Sequence, residues 1–157
     1  MRNLLLLLLA FTIPTLAIAG GPVTVNPITV YYIDDESFED IKENVEMAIT
    51  DRGLTVSGTL HVQEMLTRTG DDLGFGPGPY IKAESLEFCS AVISHKMIKT
   101  DPSNMGICPF TIAIYILRTE PNRVYVAYKV PSLAGDGEKV LKEVIGLLDG
   151  VVKDSIE

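Results

Sequence analysis

An α+β fold is predicted for this chain, a single compact domain with helices packed on a mixed or antiparallel sheet of about five strands. Three observations predict it. Segments of two-residue alternation and segments of helical periodicity take turns along the chain. The last two strand-like runs are separated only by a turn at Glu120-Pro121-Asn122, which makes them an antiparallel hairpin. No second full strand-helix alternation follows, as a doubly wound parallel sheet would require.

Residues 1–19 read as a signal peptide and residues 20–157 as the domain. Met1-Arg2-Asn3 is a short positive start, Leu4 to Ala19 is apolar apart from Thr12, Pro14 and Thr15, and Ala17-Ile18-Ala19 supplies small residues before Gly20-Gly21. The apolar stretch is short of the about twenty residues that span a bilayer, and Pro14 interrupts it. No cysteine sits at the cleavage point to carry a lipid. The expected product is soluble, periplasmic or secreted, and free of the membrane after cleavage.

The remaining elements follow in order. Thr29 to Asp34 has the β-branched and aromatic content of a strand, and Pro27 just before it suggests a strand start or a sheet edge. Ser37 opens a helix in which Phe38, Ile41, Val45 and Ile49 recur at helical spacing until Gly53. Leu54, Val56, Leu60 and Val62 alternate with Thr55, Ser57, Thr59 and His61, a half-buried strand with His61 on its polar face. A short helix over 63–69 leads into the Gly/Pro-rich loop Gly70 to Pro79, which lacks the lysine and hydroxyl of a phosphate cradle. Tyr80 to Phe88 reads as a strand and Ser90 to Thr100 as a helix. Phe110 to Leu117 is an apolar run suited to a central strand, Arg123 to Val130 is its hairpin partner, and Leu141, Val144, Leu148 and Val151 stripe a closing helix from about Glu138 to Ser155.

Composition excludes several classes. With 13 Lys plus Arg against 21 Asp plus Glu, the net charge is −8, so no basic face is available for phosphate neutralisation and no nucleic-acid partner is expected. Cleavage after Ala19 would leave 138 residues with 12 cations against 21 anions. Two cysteines and two histidines cannot build a metal cluster or a disulfide-rich scaffold. Signatures of covalent haem, zinc proteases, serine hydrolases and dinucleotide binding are absent, and neither His61 nor His95 stands beside an evident nucleophile and orienting acid. No catalytic residue or cofactor is assigned. Asp34-Asp35 and Asp71-Asp72 read as solvated loop charges.

Chemistry concentrates between Cys89 and Cys108. Cys89 closes one strand where a helix begins, and Cys108 opens the next strand, held extended by Pro109. Three readings stay open at this point. A structural disulfide would close a loop of about twenty residues. A redox or sulfur-handling pair would draw on His95, Lys96 and Lys99 to stabilise a thiolate at a helix N-terminus. A soft-metal site, with copper as its ion, would use Cys89, His95, Met97, Met105 and Cys108. On a helix, however, His95 and Met97 point about 200° apart.

Ser37-Phe38-Glu39-Asp40 leading an amphipathic helix, Phe88-Cys89-Ser90-Ala91, and Cys108-Pro109-Phe110 before an apolar strand resemble the domain-of-unknown-function 302 family over about Thr29 to Val152. Ser90-Ala91 and Pro109-Phe110 depart from that family's usual Asn-Pro and Asn after its two cysteines, as in an exported variant. The resemblance implies a compact α+β domain that associates as dimers and has no established general activity. The expected function is that of a small exported binding or accessory domain for a small ligand or protein partner. Cys89 and Cys108 are its candidate site.

Overall fold

A computed structural model describes residues 20–25 and 27–157, with the first strand defined by its backbone. The predicted signal peptide, residues 1–19, lies outside the described residues. The element order is β1 (Gly20–Val25), β2 (Ile28–Asp34), α1 (Phe38–Thr50), β3 (Val56–Leu60), α2 (Val62–Gly70), β4 (Tyr80–Phe88), α3 (Ala91–Thr100), a 3₁₀ helix (Pro102–Ile107), β5 (Phe110–Leu117), β6 (Arg123–Lys129) and α4 (Glu138–Ile156). All strands pair antiparallel in one sheet of order β1-β2-β6-β5-β4-β3.

Strand alternation sorts the sheet into two faces. Tyr31, Ile33, Val124, Val126, Ile112, Ile114, Leu86 and Phe88 form the buried face. Against it pack Ile41, Val45 and Ile49 of α1 and Val144, Leu148 and Val151 of α4, the apolar stripes that helical spacing marks in the sequence. Each such buried side chain contributes about 1.5–3 kcal/mol. On the opposite face the register aligns Tyr32 with Tyr125 and Tyr125 with Tyr115. Tyr115 and Tyr125 stack at 5.0 Å, and Tyr80 meets Tyr115 edge-on at 5.5 Å. Burial first, then the neighbouring Tyr80, Tyr125 and Glu120, pushes the Tyr115 hydroxyl up to about 12.

Local chemistry sets the helix starts. The Ser37 Oγ accepts from the Asp40 N–H at 3.1 Å, and Glu39 and Asp40 place negative charge in the first turn of α1. Ser90 does the same for α3, accepting from the Ile93 N–H at 3.4 Å.

The structure corrects three expectations in detail. β2 starts just after Pro27, one of the two readings of that proline, but it is not an edge, because residues 20–25 fold back on it as β1, whose opening Gly20-Gly21-Pro22 carries no strand signal. β3 is shorter than predicted, since its pairing with β4 runs only from Val56 to Leu60, so His61 stands at the start of α2. There its Nδ1 lies 3.2 Å from Glu84 Oε1. Burial alone would raise the Glu84 carboxyl, but Lys42, 2.7 Å away, and His61 outweigh it and hold the group low. Asp34 is not a solvated loop charge; it ends β2 and accepts two hydrogen bonds from the Arg123 guanidinium, at 2.7 and 3.1 Å. Between α3 and β5, residues 102–107 form a 3₁₀ helix with Pro102 at its start.

One polar cluster ties α4 to the sheet. The buried Tyr31 and Tyr128 hydroxyls both donate to Asp149 Oδ1, the latter at 3.2 Å, and Lys153 Nζ lies 2.6 Å from Asp149 Oδ2. Burial pushes the Asp149 carboxyl up, but Lys153 and the two hydroxyls outweigh it and hold the group below the usual carboxylate range. Replacement Asp149→Asn is therefore expected to cost about 1–3 kcal/mol at pH 7. A depressed folded-state pKa stabilises above the unfolded value and is lost as pH falls through the folded one, so urea midpoints of parent and variant should begin to converge below pH ~4. A gap that stays constant into acid would show that the carboxylate charge contributes nothing.

Candidate functional site

The chain from Phe88 to Phe110 leaves the sheet at the end of β4, makes α3 and the 3₁₀ helix, and returns as β5 beside the strand it left, with Phe88 paired to Phe110. That return brings Cys89 and Cys108 to a Cα separation of 6.1 Å, within the span a disulfide bridges, and the two are bonded across 19 positions of sequence. Among the three open readings of the pair, the structure contains the disulfide. The Ser94 hydroxyl lies 3.7 Å from the Cys108 sulfur.

Beside the disulfide opens a groove of about 490 Å³. Its walls are mainly apolar, from Met97 and Ile98 of α3, Met105 of the 3₁₀ helix, and Pro109. Ser57, Ser94 and Asn104 add polar atoms, and both cysteines line it. An apolar concavity with a few convergent polar groups is the usual form of a ligand site. A second recess of about 460 Å³ shares Ser57 and Cys89 and runs from Arg52 past Ala91.

The groove's outer wall is held by Asn104, which is 2% exposed. Its Nδ2 donates toward Met97 O, Thr100 Oγ1 and Ala134 O at 3.0, 3.1 and 3.1 Å, and its Oδ1 accepts from the Ala134 N–H at 2.8 Å. One side chain thus joins the end of α3, the 3₁₀ helix and the loop before α4. Gly135 makes that approach close, since it has φ +74° and a Cβ there would meet Thr100 O at 2.8 Å. Asp101 caps the 3₁₀ helix by accepting from the Ser103 N–H at 2.8 Å.

Of the five residues in the soft-metal reading, Cys89, Met97, Met105 and Cys108 line the groove, whereas His95 does not. Met97 is fully buried and His95 is exposed two positions away on α3, as helical geometry requires. Sulfurs joined to each other offer no thiolate to an ion. Among the described residues no group of three or more His, Cys, Asp or Glu is placed to hold a metal. Sequence reasoning missed Asn104, Ser57, Ser94, Ile98 and Pro109 as parts of the site. The turn-forming run Asp101-Pro102-Ser103-Asn104 signals a loop and carries no sign that its asparagine will be buried.

Two outcomes follow from this geometry. Joint replacement of Cys89 and Cys108 by Ser should lower unfolding stability by about 3 kcal/mol. Replacement Asn104→Ala, which leaves the Ala134 N–H without its acceptor, should cost about 1–3 kcal/mol and raise amide exchange in 97–107 and 131–137 before the sheet is affected. Uniform exchange across the whole chain would show that the asparagine is not a local fastener.

Comparison with known proteins now bears on this arrangement. No curated protein sequence matches the chain. The fold is similar to that in a crystal structure of an uncharacterized conserved DUF302 protein from Bacillus stearothermophilus, with a TM-score of 0.63 at 14% identity, covering 80% of this chain and 97% of that one. The family model described as domain of unknown function DUF302 matches residues 30–154, from β2 to the last turns of α4 and including both cysteines, and the chain belongs to that family.

Proposed function

We propose that this protein is an exported binding or accessory domain, soluble after removal of residues 1–19, that takes a small apolar ligand or an apolar side chain of a partner in the groove beside the Cys89–Cys108 disulfide. The observation that carries this reading is the groove itself. It combines an apolar wall, a few polar residues and the disulfide in its lining. Export is supported by the charged, apolar and small-residue order of residues 1–19 and by a disulfide that an oxidising compartment would preserve.

A strap of this kind preorganises the site. The disulfide joins the end of β4 to the start of β5, while Asn104 fixes the 3₁₀ helix to the loop before α4. Ligand binding therefore needs little further ordering of the chain, which favours affinity from a small contact. A thiol-redox role for the same pair is the second reading, supported by the position of both sulfurs on the wall of a groove that a reaction partner can enter.

Intact mass spectrometry of the exported protein with and without reduction and alkylation tests the export half. A chain starting at Gly20, two hydrogens short and closed to alkylation, is expected; a chain starting at Met1 or carrying two free thiols removes that half of the reading. The fluorescent apolar anion 1-anilinonaphthalene-8-sulfonate tests the groove. It should bind the folded protein at one saturable site, and Met105→Asp, at a side chain 72% exposed, should weaken it at least tenfold without lowering the unfolding midpoint. Unchanged binding to that variant would sink the groove as the site.

A further inference from the structure

The two central strands part at one end of the sheet. Pairing of β5 with β6 runs from Tyr115 opposite Tyr125 to Ile112 opposite Tyr128 and stops there, although β5 begins at Phe110 and β6 runs on to Lys129. Beyond that point each strand follows its outer neighbour. Phe110 and Thr111 stay with Phe88 and Glu87 of β4, while Lys129 stays with Ile28 of β2 and the Val130 N–H donates to Pro27 O at 2.8 Å. The residue types explain the parting. If the register of Ile112 and Tyr128 continued, Pro109 would stand opposite Pro131, and neither proline has an N–H to give the ladder.

Between the parted strands lies a cleft of about 390 Å³. Phe110 and Thr111 line it from β5, and Lys129 and Val130 from the end of β6. Leu148 of α4, which is 1% exposed, also lines it, so the cleft reaches the core. Gly106 and Ile107 of the 3₁₀ helix and Ser132 of the loop before α4 add to the lining, together with Pro27, Pro109 and Pro131. Those prolines fix φ and cannot extend the ladder, so the cleft is held open in advance of any ligand. Pro109 is the one residue it shares with the groove beside the disulfide.

The lining carries a single charge. Lys129 is exposed, and no carboxylate lies within salt-bridge distance of it among the described residues. Residues 106–111 and 129–132 hold no other charged side chain, in a chain of net charge −8. Asp149, next to Leu148 in sequence, is engaged by Lys153 and by the Tyr31 and Tyr128 hydroxyls. Tyr128 and Lys129 are successive residues of a strand and point to opposite faces, so that carboxylate does not neutralise the lysine. Thr111 and Ser132 bring hydroxyls, while Ile107, Phe110, Val130 and Leu148 bring apolar surface.

One cation, two hydroxyls and an apolar remainder match a ligand with one negative charge and an apolar body. A phosphate is matched poorly, because the lining holds no arginine fork and its three prolines offer no backbone N–H. We propose that this cleft binds a small monocarboxylate with an apolar body, its carboxylate on Lys129 and its body against Ile107, Phe110 and Val130. The site is separate from the groove and does not depend on the reading of that groove.

Heteronuclear NMR of the exported protein titrated with octanoate reads the site residue by residue. Amide signals of Gly106, Ile107, Thr111, Lys129 and Ser132 should move along one saturable curve, while those of Ser94, Met97 and Ile98 at the groove stay in place. Lys129→Met keeps an apolar side chain there and removes the charge. It should weaken octanoate about tenfold or more, leave binding of the uncharged octan-1-ol unchanged, and leave the unfolding midpoint where it was, since the residue is exposed. Lys129→Arg should restore most of the octanoate affinity. Added salt gives the same reading on the unaltered chain, because screening should weaken octanoate and not octan-1-ol. Octanoate that binds Lys129→Met as tightly as the parent, shifts that fall at the groove instead of the cleft, or no saturable shift at millimolar octanoate each overturns the proposal. The groove reading survives the last of these, since its own test uses a different probe and a variant at Met105.

Discussion

Burial of one face of the antiparallel sheet beneath α1 and α4 is the constraint on which the rest of this structure depends. Val45 and Ile49 from one helix and Val144, Leu148 and Val151 from the other meet Ile112, Ile114, Val124 and Val126 from the two central strands. A sheet of this size must cover at least one face to be stable, and the two longest helices do so. On the opposite face a row of tyrosines from β2 to β4 packs on one another. Asp149 adds direction to this otherwise non-directional burial, since its two tyrosine donors come from neighbouring strands and admit one seating of α4.

With the sheet fixed, the geometry of the candidate site follows. β4 and β5 are adjacent, and Phe88 lies opposite Phe110, so the segment between them is a closed excursion whose two ends must come together. The cysteines sit just outside that pairing, Cys89 one position after β4 and Cys108 two positions before β5. The disulfide therefore secures a closure that strand pairing has already brought about. What it encloses, α3 and the 3₁₀ helix, packs against the core through Ile93 and Met97 and leaves Met105 and Ile98 at the groove. A rigid frame and an open apolar wall thus arise from the same excursion.

The acidic balance of the chain gives these local features their meaning. In a molecule of net charge −8, a stretch from Cys89 to Thr100 without a single acidic residue is a local exception, and it supplies much of the groove's wall. The loop carrying Leu73 and Phe75 is apolar apart from Asp71 and Asp72, with Arg68 in the last turn of the helix before it and the Arg118 Nε donating to Gly78 O at 3.1 Å near its end. Exposed single apolar residues are ordinary on protein surfaces, but two large ones on a loop whose shape is set by its own backbone are a different observation, because nothing in the fold requires them there.

The amino-acid sequence by itself determined the elements whose periodicity is imposed by a buried face. These include the stripes of α1 and α4, the apolar run of β5, its hairpin with β6, and the helix starts at Ser37 and Ser90. It also marked the neighbourhood of Cys89 and Cys108, because cysteine is rare here and its chemistry is specific. Only the tertiary structure decided what depends on partners distant in the chain. β1 opens on Gly20-Gly21-Pro22 with no strand signal and is joined to the sheet by its pairing with β2; Asp34 looked solvated until Arg123, far along the chain, came beside it; and Asn104 reads as a turn residue until Ala134 supplies its partners. The groove belongs to the same class, because Ser57, Met97 and Met105 share a wall only once β3, α3 and the 3₁₀ helix are seated. Local spacing encodes which way a residue faces, while what it meets there is set by the packing of the whole chain.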